Sequence, residues 1–126
     1  MFQAEAPFKA SEPVRVVLLS LNSQYVHSSL APWCLAAGLE RYAAPGFETL
    51  VVEGTVNESP EAVMDRIRAA RPQLLGISCA IWNITFIAAL LPGIRAAFPR
   101  CVIVLGGPEV SYRAEDALMR YPQADC

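Results

Sequence analysis

The chain has 126 residues, 54% hydrophobic and 17% charged, a length and composition that fit one domain with a well-filled core. Ten basic and twelve acidic residues give a formal net charge of −2 without any block of like charge, which argues against a nucleic-acid-binding protein. The N-terminus lacks a signal-peptide pattern and no apolar stretch reaches the ~18 residues of a membrane helix, so we expect a soluble, cytoplasmic protein with no membrane partner.

The first predicted unit is a strand followed by a helix. The β-branched run from Val14 to Leu19 is typical of a strand buried on both faces, and a polar loop from Ser20 to Ser28 follows it. Apolar side chains then recur on one helical face at Leu35, Leu39 and Tyr42. These patterns predict a strand, a polar loop and an amphipathic helix.

Two further units have the same order. Phe47 to Val52 predicts a second strand, and Ser59-Pro60-Glu61 predicts a helix start with a capping serine, a proline in the first position and an acid favoured by the helix dipole. Gln73 to Cys79 predicts a third strand. The apolar spacing from Ile84 to Phe98 predicts a long helix, which we expect to be kinked at Pro92-Gly93.

The fourth unit completes a βαβαβαβα order, with a strand from Cys101 to Leu105 and a helix from Arg113 to Tyr121. Strands separated by helices pair in parallel with right-handed crossovers. The sequence therefore predicts an α/β fold with a doubly wound parallel sheet, Rossmann-like or flavodoxin-like, and helices on both faces. We expect a flexible tail at 1–12 and a domain at 13–126 that is truncated before a last strand.

Ligands of such folds bind at the carboxyl ends of the strands, and the fourth strand ends in two glycines. Gly106 and Gly107 have no Cβ, so a flat ligand face or a phosphate could approach the backbone there, while Pro108 stiffens the exit from the turn. An ordinary turn also uses glycine, so the pair alone leaves both interpretations open.

The predicted loop after the first strand is rich in polar side chains, and it lies at the carboxyl ends of the strands. Asn22, Ser23, Gln24 and Tyr25 could recognise a polar ligand, or could form an ordinary turn in which they satisfy backbone groups. His27 is the one histidine of the chain, and a lone histidine near a helix start is more often a cap or a packing residue than a ligand.

Other residues at the strand ends also have two interpretations. Trp82 and Asn83 could line a planar ligand or could cap the following helix. Glu53 and Glu109 are more often solvated loop acids than general bases. No nucleophile–base pair, P-loop or dinucleotide fingerprint occurs, so we do not expect this chain to be catalytic alone.

The four cysteines stand far apart and lack the close spacing of a zinc or iron–sulfur site, so we expect no metal site of that kind. Cys79 and Cys101 lie in or beside apolar strands. We expect both to be buried thiols in a reduced compartment.

Two segments, LNSQYVHSSLA at Leu21–Ala31 and LGGPEVS at Leu105–Ser111, resemble the N-terminal cobalamin-binding-type domain of radical S-adenosylmethionine proteins. The similarity covers roughly residues 14–126. In that family a Rossmann-like sheet holds the corrin ring of cobalamin over its strand ends, and a following barrel carries a C-x-x-x-C-x-x-C motif that this chain lacks. The resemblance thus implies cobalamin in this domain, with S-adenosylmethionine and a 4Fe-4S cluster in a separate catalytic domain.

The resemblance also implies roles for individual residues. The Gly106-Gly107 turn would approach the nucleotide tail, Ser78-Cys79-Ala80 lies where such domains commonly show S-x-L, and the Ser20–Ser28 loop would face the lower side of the corrin. The D-x-H-x-x-G motif, whose histidine coordinates cobalt in other cobalamin proteins, is absent, and His27 lies too late in its loop to match it. The cofactor-binding residues expected on this basis are Asn22, Ser23, Gln24, Tyr25, His27, Ser78, Cys79, Ala80, Trp82, Gly106, Gly107, Pro108 and Glu109.

Three hypotheses follow. The first is a cobalamin-binding module that positions a corrinoid next to the iron–sulfur domain of a radical S-adenosylmethionine enzyme. The second is the same fold without a cofactor, acting as a scaffold or substrate-presenting domain for the catalytic barrel, because fold alone does not fix function. A receiver-like or flavodoxin-like module is less favoured, since Ser20-Leu21-Asn22 lacks the acidic cluster of a receiver and the glycines of a flavin phosphate loop.

Overall fold

The structure, a computed structural model, describes residues 13–23, 30–42 and 46–126. It contains one four-stranded parallel sheet in the order β2-β1-β3-β4, with helices between successive strands. The strands are β1 Val14–Asn22, β2 Phe47–Thr55, β3 Leu74–Ser78 and β4 Val102–Gly106. The helices are α1 Leu30–Tyr42, α2 Pro60–Ala70, α3 Ile84–Ala97 and α4 Ala114–Arg120. The predicted doubly wound α/β fold is confirmed, while the proposed tail at 1–12 lies outside the described residues.

The first two strands are longer than their sequence patterns predict. The loop expected from Ser20 begins only after Asn22, because residues 20–22 continue β1 and pair with residues 53–55 of β2. The prediction that Ser20 to Asn22 form a loop was therefore wrong. Ser20 is buried despite its hydroxyl, since the parallel ladder satisfies the backbone and outweighs the weak strand preference of polar residues.

One face of the sheet carries the main hydrophobic core. Alternate strand residues on this face, including Leu19, Leu75 and Ile103, are fully buried against α2 and α3. The predicted start of α2 is confirmed, because the Ser59 hydroxyl accepts a hydrogen bond from the Ala62 amide at 3.2 Å. Helix α3 continues through Pro92 to Ala97.

The opposite face of the sheet is covered by α1 and is less tightly closed. Of the three apolar residues that predict α1, Tyr42 is 81% exposed and Leu35 is 59% exposed. Leu35 and Leu39 nevertheless face the sheet across a cavity. The amphipathic pattern thus predicts the helix correctly. The side chains of α1, however, leave a cavity between the helix and the sheet.

Residues after α4 return to the sheet and extend it beyond β4. The Ile103 carbonyl accepts from the Asp125 and Cys126 amides at 2.8 and 3.2 Å, and the Leu105 amide donates to the Cys126 carbonyl at 2.9 Å. This pattern is that of a parallel pair. The Arg95 guanidinium holds the segment, donating to the Gln123 carbonyl and to the Asp125 carboxylate. No helix among the described residues has the length and apolar character needed to span a bilayer.

Candidate functional site

The strand order places a topological switch point between β1 and β3. Strand β1 pairs with β2 on one side and with β3 on the other, so the connection from β1 to β2 and the connection from β2 to β3 run in opposite directions along the sheet. A crevice forms at the carboxyl ends of the strands at such a point, and ligands of open α/β sheets bind there. At this edge lie the end of β1 at Asn22, the end of β3 at Ser78 and the end of β4 at Gly106.

A cavity of about 520 Å³ lies between α1 and the sheet and reaches this edge. Its lining is almost entirely apolar, and Ser78 carries the one hydrogen-bonding side chain among the described lining residues. Strand and helix residues that sequence reasoning missed form most of the wall: Val16, Leu18, Pro32, Leu35, Leu39, Leu74, Gly76 and Val104. One available signal was Gly76, because a glycine inside a strand often marks the close approach of a ligand or another backbone.

The two glycines at the end of β4 have different roles. A Cβ built on Gly106 would meet no heavy atom within 4 Å, and this residue lines the cavity. Gly107 has a φ of +97°, and a Cβ there would lie 2.4 Å from the Cys79 carbonyl oxygen. Because L side chains rarely adopt that φ, Gly107 is required by the turn itself. At Gly106, in contrast, the absence of a side chain leaves open space in the cavity wall.

The turn after β4 is fixed against the end of β3. The Cys79 amide donates to the Gly106 carbonyl at 2.7 Å, and the Glu109 amide donates to the Cys79 carbonyl at 3.3 Å. The predicted burial of Cys79 is confirmed. Burial, with a smaller contribution from the Glu109 carboxylate, raises the pKa of the Cys79 thiol to about 11. This thiol therefore stays neutral and packs within the core.

The loop between β3 and α3 is organised by Asn83, which is 2% exposed. Its amide nitrogen donates to the carbonyls of Leu21 and Ser78 at 3.1 and 3.0 Å, and its amide oxygen accepts from the Ala80 amide at 2.8 Å. The Asn83 side chain thus joins β1 to β3 and does not cap α3. The indole Nε1 of Trp82 donates to the same Leu21 carbonyl at 3.1 Å.

The other candidate residues are only partly brought together. The Asn22 and Ser23 carbonyls accept from the Val56 amide and the Asn57 side chain, at 3.0 and 3.2 Å, which ties the end of β1 to the loop after β2. Ala80 is buried, whereas Pro108 and Glu109 are exposed. Gln24, Tyr25 and His27 lie outside the described residues. Within 13–23, 30–42 and 46–126, no three histidine, cysteine or acidic side chains could hold a metal ion together.

Comparison with known proteins identifies a similar fold and a family. The chain is similar in fold to a cobalamin-binding protein from Desulfitobacterium hafniense, with a TM-score of 0.63 and 16% sequence identity over 90% of this chain and 51% of that one. The chain therefore spans about half the length of that protein, and at this identity the likeness concerns the fold alone. No curated protein matches the sequence. The family described as the B12 binding domain matches residues 16–126, and the chain therefore belongs to that family.

Proposed function

We propose that this chain binds cobalamin, with the nucleotide tail in the cavity beneath α1 and the corrin ring over the carboxyl ends of the strands. Membership of the B12-binding domain family supports the cofactor. The observation that carries the proposal is the open space above Gly106 in the wall of a cavity at the strand ends. A scaffold without a ligand has no need for this opening, because a larger residue there would improve packing.

The cavity fits the proposed occupant in size and in chemistry. Its volume of about 520 Å³ lies within the ~300–1000 Å³ typical of small-molecule sites. Its apolar walls suit the flat faces of a heterocyclic base, and Ser78, which also lines this space, has a hydroxyl group that can form a hydrogen bond. Bound cobalamin would supply radical or organometallic chemistry at its cobalt, while the protein binds and orients it.

We further propose that the domain serves a radical S-adenosylmethionine enzyme and positions the corrinoid beside a separate domain with a 4Fe-4S cluster, in the cytoplasm. The resemblance of Leu21–Ala31 and Leu105–Ser111 to such proteins supports this context. The parallel pairing of Asp125 and Cys126 with β4 supports a fifth strand in the complete domain. Catalysis would then belong to the partner domain.

The test is the affinity of the chain for hydroxocobalamin, measured by equilibrium dialysis, with Gly106→Val as the decisive variant. Valine fits strand geometry, and its methyl groups would enter the cavity, so we expect a folded protein whose Kd rises at least about tenfold, a loss of about 1.4 kcal/mol. Gly38→Val is the matched control, because Gly38 has open space around it and lies on α1 outside the cavity lining.

We expect the Gly38→Val variant to keep the affinity of the unmodified chain. Circular dichroism checks that both variants are folded. Unchanged affinity in folded Gly106→Val would contradict tail binding in this cavity. Absence of binding by the unmodified chain would favour the scaffold hypothesis.

A further inference from the structure

We infer that the outward side of α1 is a dimer interface, on which a second copy of this chain packs its own α1 in the antiparallel direction. This surface, named here the α1 outer face, consists of Leu30, Trp33, Cys34, Ala37 and Arg41, all of them exposed. None of the five lines the cavity. The inference therefore goes beyond the proposed function and does not depend on cobalamin.

The α1 outer face is apolar although it is exposed to water. Its members recur at intervals of three or four residues, which places them on the side of the helix opposite Leu35 and Leu39, which line the cavity. Leu30 is 74% exposed and Trp33 is 51% exposed. No charged residue occurs from Leu30 to Leu39, so the surface stays apolar over about three helical turns. Large apolar side chains exposed together mark an interaction surface.

Helix α1 also lacks the packing that a helix of its length needs. Of its 13 residues, Pro32 is the buried one. A helix this short is marginal in water and depends on tertiary contacts. Helix α2, in contrast, buries four residues and presents the charged groups of Glu61, Asp65 and Arg68 to solvent. A partner on the α1 outer face would supply burial that the sheet does not provide.

The α1 outer face is self-complementary, which favours a second copy over a different protein. Trp33 and Arg41 lie four residues before and after Ala37, about 6 Å along the helix axis in each direction. With a two-fold axis through Ala37 of two antiparallel helices, Arg41 of each copy lies beside Trp33 of the other. The Arg41 guanidinium already lies 5.5 Å from the centroid of the Tyr42 ring. A symmetric pair thus forms two equal cation–π contacts, for which an indole is the best acceptor.

The centre of the α1 outer face allows two helices to approach closely. Cys34 and Ala37 are small, and the distance between packed helices shortens toward ~8 Å when the contacting side chains are small. Two helices of ~20 Å length packed in this way bury on the order of 1000 Å² in total, at the low end for specific interfaces. We therefore expect a reversible dimer with a Kd in the micromolar range.

Sedimentation velocity of the unmodified chain over a concentration series measures this association. We expect a species of twice the 13.7 kDa mass of the chain at high protein concentration. Ala37→Glu should abolish it, because the two new carboxylates would face each other at the two-fold axis. Ala89→Glu is the matched control, since Ala89 is exposed in the middle of α3 and the same substitution there leaves the α1 outer face unchanged. Circular dichroism checks that both variants are folded.

A double-mutant cycle tests the contact between Trp33 and Arg41. The two residues are eight positions apart on one helix, about 12 Å, so their effects within a single copy should be independent. We expect Trp33→Ala and Arg41→Gln each to raise the dimer Kd about tenfold. The double variant should raise it by clearly less than the product of the two factors, because either single change already removes both contacts across the interface.

Disulfide formation gives a second measurement that does not rely on a destabilised dimer. In a chain whose two exposed cysteines, Cys34 and Cys126, are replaced by alanine, Ala37→Cys places a thiol at the proposed two-fold axis. Close antiparallel helices hold this position within the ~4.4–6.8 Å between Cα atoms that a disulfide spans. We expect a covalent dimer after oxidation with oxidised glutathione, and none from Ala89→Cys in the same background.

A chain that remains monomeric at every concentration would overturn the inference. So would a dimer that persists in folded Ala37→Glu, equal loss of the dimer in Ala37→Glu and Ala89→Glu, or strict additivity in the double-mutant cycle. If Ala37→Glu does not fold, the cysteine variants decide, and equal disulfide formation in the two would contradict the interface. Each of these results leaves the proposed function intact, because hydroxocobalamin binding by the unmodified chain is measured separately.

Discussion

Two adjacent glycines at the end of β4 differ in what the fold requires of them. Gly106 and Gly107 are adjacent, yet a Cβ on the first would enter open space and a Cβ on the second would strike the Cys79 backbone. The sequence predicted either a close approach of a ligand or an ordinary turn at this pair, and it could not show that the two glycines differ. The division depends on the φ of Gly107 and on the position of β3, and neither is visible in the order of residues.

We expect Gly107→Ala to destabilise the fold by about 1–3 kcal/mol or more, because it combines an unfavourable φ with a steric clash. Gly106→Ala, with the same added methyl group, should change the free energy of unfolding by less than about 0.5 kcal/mol. Urea denaturation of the two variants measures the difference. Equal stability would show that the turn adapts and that Gly107 is not required by the backbone.

At the scale of elements, the sequence predicted all four strands and all four helices. Continuous apolar runs predicted the strands, repeated apolar faces predicted α1 and α3, the capped start predicted α2, and acids in the first turn predicted α4. The ends of β1 and β2 were missed, since Ser20 and Thr55 are polar residues that become buried only through strand pairing. The cavity could not be predicted either. It depends on how far α1 lies from the sheet, which the exposed and half-buried residues of α1 do not specify.

The Asp125 carboxylate adds side-chain hydrogen bonds to the segment that extends the sheet beyond β4. Asp125 accepts hydrogen bonds from the Ile103 amide and from Arg95, each at 2.9 Å. We expect Asp125→Ala to cost about 1–2 kcal/mol, because the Ile103 amide loses its acceptor. Hydrogen exchange at Ile103 should accelerate.

Asp116→Ala is the control for this change. Asp116 forms an exposed ion pair with Arg113 at 3.8 Å, and such pairs contribute little to stability. If the two variants had the same stability and the same exchange rate at Ile103, Asp125 would not be what holds the segment against β4.

At the scale of the whole molecule, the two faces of the sheet are packed differently. Helices α2 and α3 pack tightly on one face, whereas α1 leaves a cavity of about 520 Å³ on the other. The densely packed face holds both buried thiols, and burial is the main cause that raises the pKa of Cys79 and of Cys101 to about 11. The raised pKa of these thiols therefore reflects their burial in the core.

These thiols make the fold sensitive to alkaline pH. Unfolding returns them to an ordinary pKa near 9, so between about pH 9 and pH 11 they ionise in the unfolded chain but remain neutral in the folded one. Their contribution to stability is thus complete below pH 9 and is lost as the pH rises toward 11.

Urea denaturation at pH 8 and pH 10.5 measures this loss, which we expect to be on the order of 1–2 kcal/mol per thiol. Replacing both Cys79 and Cys101 by alanine should remove that part of the pH dependence, whereas Cys34→Ala, at an exposed thiol, should retain it. An identical pH dependence in both variants would refute the assignment to the buried thiols.

The most direct test of cobalamin binding is anaerobic incubation of the chain with hydroxocobalamin, followed by desalting and a visible spectrum. We predict corrin absorbance at about one equivalent, with band positions that report whether a side chain such as His27 coordinates the cobalt. Complete loss of the corrin on desalting, together with no binding in equilibrium dialysis, would contradict the assignment of this domain as a cobalamin carrier.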